Sequence, residues 1–180
     1  MEFNKVITTR HSVRTYDQKK VEEEKIEYVL ESARLAPSWA NKQCWRFIVI
    51  SDENTIKEIA KASIVNRWLK NVPSIIVACG DPTESGSKND IDYYSVDVAI
   101  AMEHIVLAAT DIGLGTCWIA AFNEEKIKNA LKIPPRIKVV ALTPIGYPAS
   151  KQGLLEKTMQ TVVKPKKRRN LSEIVHYDKW

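Results

Sequence analysis

Residues 94–112, YSVDVAIAMEHIVLAATDI, form the most apolar predicted helix of the chain. Its apolar residues cover nearly every face of a helix, which is typical of a helix that is buried or lies in a subunit interface. Asp97, Glu103 and His104 interrupt the apolar run, which excludes a membrane span. Gly113 and Gly115 follow and end the helix. The stretch therefore predicts a helix that is buried in the core or in a subunit interface.

Shorter helices and strands alternate before and after this helix. Sequence patterns predict further helices over residues 21–36, 54–62, 65–71 and 123–131. Runs rich in β-branched residues predict strands over residues 46–51, 73–79, 116–121 and 138–147, and the polar stretch 81–92 predicts a loop. The connections are short, and the chain has neither an internal repeat nor a Pro/Gly/Ser-rich linker. These patterns predict one α/β or α+β domain.

The composition is that of an ordinary globular domain. The chain has 180 residues, of which 44% are hydrophobic and 27% charged, so it can bury a sizeable core. Its three cysteines, Cys44, Cys79 and Cys117, form no CxxC pair and no complete disulfide framework. The N-terminal residues MEFNKVITTRHS lack the apolar run of a signal peptide. A reducing, cytoplasmic location is therefore predicted.

The net charge of +5 is concentrated in one segment. Residues 1–149 contain 19 basic and 19 acidic residues, whereas residues 150–180 contain 8 basic and 3 acidic ones. Proteins that coat nucleic acid usually spread positive charge over a face of the folded body. One short basic segment suits a local anion and a solvated tail equally well. Because this tail has few apolar residues, it is typical of a segment that packs on a partner subunit or of a frayed terminus.

The first candidate binding cluster is Arg10-His11-Ser12-Val13-Arg14. Its two arginines stand four residues apart, on one side of a helix or close together in an extended turn. Two guanidinium groups with a hydroxyl between them are well suited to binding a phosphate. Short basic motifs are also common by chance, and the residue types alone favour a solvated N-terminal turn.

The second cluster, PSWANKQCW at residues 37–45, lies between a predicted helix and a predicted strand. Loops in this position often carry ligand-binding groups. The side chains of Ser38, Asn41 and Gln43, together with two tryptophans, would suit a planar heterocycle with polar edges. The alternative is that the tryptophans pack in the core and Asn41 makes hydrogen bonds within a turn.

The third cluster, GLGTCWIAA at residues 113–121, follows the buried helix. Its glycines end that helix, and the small side chains of Ala120 and Ala121 would let a flat ligand approach the backbone. The cluster is not a dinucleotide-binding fingerprint, because GxGxxG is absent and the order of strand and helix differs. The chain contains no P-loop either.

The sequence shows no known motif for catalysis by side chains alone. HExxH, GxSxG and Cys–His nucleophile patterns are absent. The only histidines are His11, His104 and His176, and His104 is better explained as a hydrogen-bonded core residue than as a ligand. If the protein is an enzyme, a bound cofactor should carry the difficult step.

Taken in this order, the clusters resemble the signatures of the FMN-dependent nitroreductase family. Arg10–Tyr16 is similar to the opening motif of that family, and residues 37–45 are similar to its PSxxNxQPW loop. Residues 113–119 are similar to its third block, and residues 168–176 to its C-terminal segment. The resemblance therefore covers nearly the whole chain.

The resemblance implies an α+β fold with a central, mostly antiparallel sheet flanked by helices, in a single domain over residues 1–180. It implies a homodimer with two FMN sites at the interface, in which the tail of each subunit, residues 150–180, extends over the partner. Two positions depart from the family pattern, since Cys44 and Asn170 stand where proline is usual or frequent. The first departure loosens the loop and places a thiol near the flavin.

The resemblance also implies which residues bind FMN. The phosphate and ribityl chain would be held by Arg10, His11 and Ser12, and Lys166 and Arg168 would complete the phosphate site. Arg14 would lie near the N1–O2 edge of the ring, where a cation stabilises the reduced flavin. Backbone of Ile119, Ala120 and Ala121 would line the ring near N5. Asn41 and Asn66 would bond ribityl or ring atoms, and Pro37 and Ser38 would come from the other subunit.

These implications lead to the hypothesis of an FMN-dependent oxidoreductase. Hydride would pass from NADH or NADPH to flavin N5, and an electron-poor small molecule such as a nitroaromatic or a quinone would then be reduced in the same place. No metal, nucleic acid or membrane partner is expected. Alternatives are another FMN-dependent reaction, such as that of a dehydrogenase or reductive dehalogenase, a non-catalytic flavin-binding protein, and a nucleic-acid-binding protein that uses the basic tail.

Overall fold

The strands and helices are described by a computed structural model that covers residues 1–63, 65–151, 153 and 168–180. The strands are β1 (Trp45–Ile50), β2 (Ser74–Gly80), β3 (Ser87–Lys88), β4 (Ile91–Asp92), β5 (Gly115–Thr116) and β6 (Lys138–Gly146). The α-helices are α1 (Phe3–Thr9), α2 (Glu23–Arg34), α3 (Glu53–Lys61), α4 (Tyr93–Asp111) and α5 (Glu124–Leu131). Short 3-10 helices cover Trp39–Asn41, Arg67–Asn71, Pro82–Glu84 and Leu171–Glu173.

Four of the strands form an antiparallel sheet in the order β1-β2-β6-β5. Trp45 lies opposite Gly80 in the first pair, and Ser74 lies opposite Ile145 in the second. The pairing of β2 with β6 shifts register between Ala78 and Cys79. Strands β3 and β4 form a separate hairpin. The predicted α+β fold with an antiparallel sheet is confirmed.

Strand β2 is buried along its whole length and separates two hydrophobic cores. Successive side chains of a strand point to opposite faces of the sheet. Accordingly, Ile75, Val77 and Cys79 belong to a core that contains residues of α3 and α5. Ile76 and Ala78 belong to a second core that contains residues of α2 and α4. The sheet therefore lies between two layers of helices, which explains why its central strand reads as a continuous apolar run.

Helix α4 confirms the buried helix predicted for residues 94–112. Val98, Met102 and Ile105 are fully buried in the core shared with α2 and the sheet. The half-buried His104 makes a hydrogen bond of 2.9 Å from Nδ1 to the carbonyl of Ser32, so it is satisfied as predicted. Along the parts of the chain that the structure covers, no helix combines the length and the apolarity that a bilayer crossing requires.

Local capping corrects one predicted helix start and confirms another. The side chain of Asp52, rather than Asn54, caps α3 by accepting the Thr55 N–H at 2.8 Å. Asn123 caps α5 as predicted, since its side chain accepts the Lys126 N–H at 2.9 Å. Both contacts satisfy an N–H group that has no partner within the first helical turn.

Two predicted segments differ from the structure, and one helix has no counterpart among the predictions. The stretch predicted as a loop over residues 81–92 contains a 3-10 turn and the β3–β4 hairpin, whose turn residues Asn89 and Asp90 have positive φ. The strand predicted over residues 116–121 is a strand only in β5, because pairing with β6 resumes at one isolated bridge, Ile119–Leu142. Helix α1 was not predicted, because it buries a single residue, Val6, and has no apolar stripe.

Candidate functional site

The Arg10–Tyr16 segment runs along one edge of the sheet. It leaves α1 at Arg10, and the Val13 N–H donates to the Thr116 carbonyl at 2.8 Å. Ser12 also forms an isolated parallel bridge with Thr116, and Tyr16 forms an antiparallel one with Pro148. The segment is therefore part of the sheet edge, so the solvated turn favoured by residue types alone is wrong.

Two glycines of the sheet allow the Arg10–Tyr16 segment to lie this close. A Cβ atom on Gly115 would lie 2.8 Å from the Cβ of Val13. A Cβ atom on Gly146 would lie 2.5 Å from Cγ of Pro73 and 3.1 Å from the ring of Tyr16. Because protein interiors are close-packed, a larger residue at position 115 would displace the segment, and one at position 146 would press first on Pro73 and then on Tyr16.

The polar side chains of this segment that could bind a ligand are carried by alternate residues. Arg10, Ser12 and Arg14 are half-buried, Val13 is buried and His11 is exposed. An extended chain places alternate residues on the same face, so the two guanidinium groups and the hydroxyl share one face. Arg14 makes a long hydrogen bond of 3.4 Å from Nη1 to the Ser12 carbonyl. This face presents two cations and a hydroxyl, which is a donor set suited to a phosphate.

The chain after β5 continues along the same edge. Ile119 exchanges two backbone hydrogen bonds with Leu142, each 2.9 Å long. These bonds fix the backbone just before Ala120 and Ala121, which are both exposed. Two consecutive exposed residues with small side chains leave the backbone accessible, which suits a flat ligand.

Asn66 lies beside Ala121 and has an oriented amide. Ser63 Oγ donates to the Ala121 carbonyl, and Asn66 Nδ2 lies 3.4 Å from the same oxygen. On the other side of the amide, Trp68 Nε1 donates to Asn66 Oδ1 at 3.3 Å. The indole N–H is a donor without acceptor capacity, so it assigns the oxygen and the nitrogen of the Asn66 amide.

The loop from Pro37 to Cys44 has an unusual backbone. Ala40, Asn41 and Gln43 have φ values of 48°, 55° and 51°. Residues other than glycine avoid this left-handed region, which costs roughly 1–2 kcal/mol per residue, somewhat less for asparagine. Within the loop, the Gln43 N–H donates to Ser38 Oγ at 2.9 Å, and Gln43 Nε2 donates to Asn41 Oδ1 at 3.1 Å. The predicted turn hydrogen bond of Asn41 is therefore present.

The two tryptophans of this loop region have different environments. Trp45 is buried in the core, as one of the two alternatives predicts, whereas Trp39 is 38% exposed. The Trp39 ring stacks on Tyr93, with ring centroids 5.9 Å apart and an interplanar angle of 23°. The Trp39 N–H donates to Oδ1 of Asp97, which lies in α4, at 2.8 Å. The loop is thus attached to the first turns of α4.

Cys44 ends this loop and is fully buried. Burial, together with the smaller effect of the neighbouring Asp97 carboxylate, raises the pKa of its thiol to about 11. At neutral pH the thiol is therefore protonated and donates to Asp97 Oδ2 at 3.6 Å. Within the described parts of the chain, no three His, Cys, Asp or Glu side chains are grouped so that they could hold a metal ion.

The predicted site residues form two groups in one chain. Arg10, His11, Ser12 and Arg14 share the sheet edge with residues 119–121, and Asn66 joins them through Ala121. Pro37, Ser38 and Asn41 form the second group, which is attached at Asp97. Arg168 is exposed, and Lys166 lies outside the described residues.

Three residues around these groups escape sequence reasoning. Asp97 interrupts an apolar helix. From the sequence, this aspartate indicates only that the helix does not span a membrane, and not which group it contacts. Ser63 bonds the Ala121 carbonyl across 58 residues of chain, and Trp68 orients the Asn66 amide from only two residues away. The interrupted apolar pattern at Asp97 is the one signal that points to a buried polar contact.

Known proteins resemble this chain in sequence over most of its length. The sequence matches the nitroreductase family over residues 7–67 and 64–147. It is 36% identical over 156 residues to an Archaeoglobus fulgidus protein named "Putative NADH dehydrogenase/NAD(P)H nitroreductase", covering 84% of this chain and 88% of that protein.

Solved structures agree with this match. A nitroreductase family protein from Clostridium novyi NT is 46% identical with a TM-score of 0.81, covering 83% of this chain and 87% of that one. An FMN-dependent nitroreductase from Clostridium difficile R20291 is 28% identical with a TM-score of 0.78, covering 97% and 98%. The architecture is therefore that of an α+β protein with the nitroreductase fold. The chain belongs to the nitroreductase family.

Proposed function

We propose that this protein is an FMN-dependent oxidoreductase that uses NADH or NADPH to reduce a small electron-poor molecule, such as a nitroaromatic or a quinone. The observation that carries the proposal is the pairing of the Arg10–Tyr16 segment with Thr116, which brings the Arg10, Ser12 and Arg14 face to the sheet edge that continues into residues 119–121. The names of the relatives describe the same chemistry, since one is named an FMN-dependent nitroreductase and another a putative NADH dehydrogenase/NAD(P)H nitroreductase.

The phosphate end of FMN fits the Arg10–Tyr16 segment. A phosphate binds most strongly to guanidinium groups that have a further donor beside them. Arg10, His11 and Ser12 bind the phosphate and the ribityl chain in this proposal. Arg168 and Lys166 complete the phosphate site from the C-terminal tail, which gives the excess positive charge of that tail a local anion to meet.

The ring of FMN fits the adjacent edge. The exposed alanines Ala120 and Ala121 allow a flat ring to approach the backbone, and Ile119 fixes this backbone through its bonds to Leu142. Arg14 supplies a positive charge near the N1–O2 edge of the ring. Asn66 supplies an amide whose orientation Trp68 fixes.

The second group of residues acts in the site of a partner subunit. The loop with Pro37, Ser38 and Asn41 is attached at Asp97, whereas β5 begins just beyond Asp111. Fourteen residues of α-helix separate these two positions by about 21 Å. A homodimer with FMN at its interface would bring the loop of one subunit to the sheet edge of the other.

The C-terminal tail, residues 150–180, extends over the partner in the same proposal. In its described part, Leu171, Tyr177 and Trp180 expose most of their side chains. On the body, Val96 of α4 is 38% exposed. Apolar side chains exposed in this way are typical of an interface. Residues 1–180 then form one domain that completes its sites by dimerisation.

The protein contributes binding, orientation and electrostatics to the reaction. When bound, FMN supplies the redox chemistry by accepting hydride from the nicotinamide and passing electrons to the acceptor. Arg14 favours negative charge on the ring, because fixed cations stabilise charge that develops in a site shielded from water. Ala120 and Ala121 leave room beside the ring because their side chains are small.

Cofactor titration followed by turnover tests the proposal. Purified protein should take up about one FMN per subunit and then oxidise NADH or NADPH in the presence of a nitroaromatic or a quinone. Arg10→Ala should weaken FMN binding about 10- to 100-fold, because a hydrogen bond to a charged group contributes about 1.5–3 kcal/mol.

A second arginine provides the matched control. Arg34→Ala removes an exposed guanidinium that pairs with Glu31 on α2, and it should leave FMN affinity unchanged. Failure of the wild-type protein to bind FMN would contradict the proposed function. Normal FMN binding by Arg10→Ala would contradict only the phosphate assignment.

A further inference from the structure

Asp97 is a buried carboxylate in the most apolar helix of the protein, with 2% of its surface exposed. Its Oδ1 accepts the Trp39 N–H at 2.8 Å. Its Oδ2 accepts from Ser85 Oγ at 3.3 Å and from Cys44 Sγ at 3.6 Å. A carboxylate is buried at a large free-energy penalty unless it is hydrogen-bonded, and these donors satisfy both of its oxygens.

The partners of Asp97 connect α4 to both ends of one loop. Trp39 lies near the start of the loop from Pro37 to Cys44, and Cys44 is its last residue. The Trp39 ring is held from another side, because it stacks on Tyr93 and covers Gly86, where a Cβ atom would lie 2.6 Å from the ring. Asp97 therefore anchors the backbone at the point where the loop leaves the body of the protein.

The intrinsic backbone preferences of the residues between these two anchors do not favour the conformation that the loop adopts. Ala40, Asn41 and Gln43 all adopt left-handed φ values, which side chains with a Cβ disfavour. The hydrogen bonds from Gln43 to Ser38 and Asn41 stay within the loop. An external contact must therefore fix the loop relative to the body, and the Trp39 N–H on Asp97 is such a contact.

We propose that Asp97 is a positioning residue of the cofactor site, which acts by holding Trp39 so that Ser38 and Asn41 keep the conformation that binds FMN. This inference rests on the proposed function, because Ser38 and Asn41 would otherwise have no ligand to meet. An apolar residue of the same shape would pack in α4 without the desolvation penalty of a carboxylate. The hydrogen bond to the loop accounts for an aspartate at this position.

Two substitutions of nearly the same shape test this role. Asp97→Asn keeps a carbonyl oxygen for the Trp39 N–H, whereas Asp97→Leu offers no acceptor. The dissociation constant of FMN should rise at least about tenfold in Asp97→Leu and stay within about threefold of wild type in Asp97→Asn, because the acceptor is what positions the loop. Ile105→Val, in the buried part of the same helix, is the control for a general loss of stability.

Amide hydrogen exchange without FMN gives a second readout. The Trp39 amide should exchange at least about tenfold faster in Asp97→Leu and remain protected in Asp97→Asn, since exchange follows the opening of the hydrogen bond. Asp97→Ala replaces the leucine variant if that variant does not fold. Unchanged FMN affinity and unchanged Trp39 exchange in Asp97→Leu would overturn the inference.

The control and the wild type separate the remaining outcomes. If Ile105→Val weakens FMN binding as much as Asp97→Leu at an equal loss of thermal stability, the effect is structural and the positioning role is wrong. If wild-type protein binds no FMN, the proposed function fails. The exchange of the Trp39 amide then still decides whether Asp97 holds the loop.

Discussion

The two halves of the candidate site are attached to the same scaffold in different ways. The Arg10–Tyr16 segment is held by backbone pairing, in which the Val13 N–H bonds to Thr116 and the Thr15 carbonyl accepts the Ala149 N–H at 3.0 Å. The loop from Pro37 to Cys44 is held at Trp39, through the side chain of Asp97 and a stacked ring.

This difference determines how each half can be disturbed. Backbone pairing survives most side-chain substitutions, so the Arg10–Tyr16 segment is vulnerable mainly where added volume pushes it away from the sheet. The loop depends on individual side chains, so a single polar substitution can release it. The segment should therefore respond to packing changes, and the loop to changes in charge and hydrogen bonding.

The largest effect is expected from Gly115→Ala, which adds volume beneath the segment. Its new Cβ would lie 2.8 Å from Cβ and Cγ2 of Val13, and neither atom is the far end of a flexible chain. Overpacking of this kind destabilises a protein by about 1–3 kcal/mol. Urea unfolding should show this loss, and FMN titration should show weaker binding because Ser12 and Arg14 flank Val13.

A neighbouring glycine supplies the control for this prediction. Gly113 has a φ of +79°, and a Cβ atom there would meet nothing within 4 Å. Gly113→Ala should reduce stability by about 1–2 kcal/mol through backbone strain alone and leave FMN affinity unchanged. Equal FMN affinities for the two variants would show that the segment does not depend on its fit against β5.

Local patterns in the sequence predict most of the scaffold. The periodicities of α2, α4, α5, β1, β2 and β6 predict these elements to within a few residues at their ends, where assignments always vary. They do not predict that β5 ends at Thr116, because the end of a strand is set by its pairing with β6. They also miss α1, whose single buried residue, Val6, gives no periodic signal.

Local patterns predict the segments of the candidate site better than the contacts between them. The three clusters identify the chain segments that the structure places at the sheet edge and at the start of α4. The sequence does not predict that Asp97 anchors Trp39, because 58 residues separate them. For the same reason it does not predict that Ser63 bonds the Ala121 carbonyl, since both contacts exist only in the tertiary structure.

We expect low pH to destabilise the loop from Pro37 to Cys44 through Asp81, which lies beside the last residue of this loop. The Asp81 N–H donates to the Cys44 carbonyl at 2.9 Å. Hydrogen bonds from Thr83, together with Arg136, lower the pKa of Asp81 from its ordinary value of 3.8 to about 2. Because the pKa is lower in the folded state, the stabilisation is complete above about pH 4 and disappears as the pH falls towards 2.

Unfolding measured from pH 5 down to pH 2 checks this expectation. Asp81→Asn cannot titrate, so its stability should fall less steeply over about pH 4 to 2 than that of the wild type. Hydrogen exchange in the same range should accelerate in the loop before it accelerates in the Arg10–Tyr16 segment. Parallel stability curves for the two proteins would rule Asp81 out as the acid-sensitive group.

Gly86→Ala makes the same chemical change as Gly115→Ala, but beneath the loop. Its Cβ would lie 2.6 Å from two atoms of the Trp39 ring. That ring is 38% exposed and can move towards solvent, so the free energy of unfolding should fall by less than about 1 kcal/mol. FMN titration should show a modest loss of affinity. A stability loss as large as that of Gly115→Ala would mean that the loop is packed as rigidly as the segment.

The smallest effect is expected from Cys44→Ser. Because burial and the Asp97 carboxylate raise the pKa of the Cys44 thiol to about 11, this group is a protonated donor to Asp97 at neutral pH. A serine hydroxyl can donate to the same oxygen and has a similar size, so FMN affinity and turnover should stay within about twofold of wild type. Titration and steady-state rates with NADH or NADPH measure both. A large loss of turnover with normal FMN binding would instead give the thiol a redox role, because serine replaces its hydrogen bond but not its chemistry.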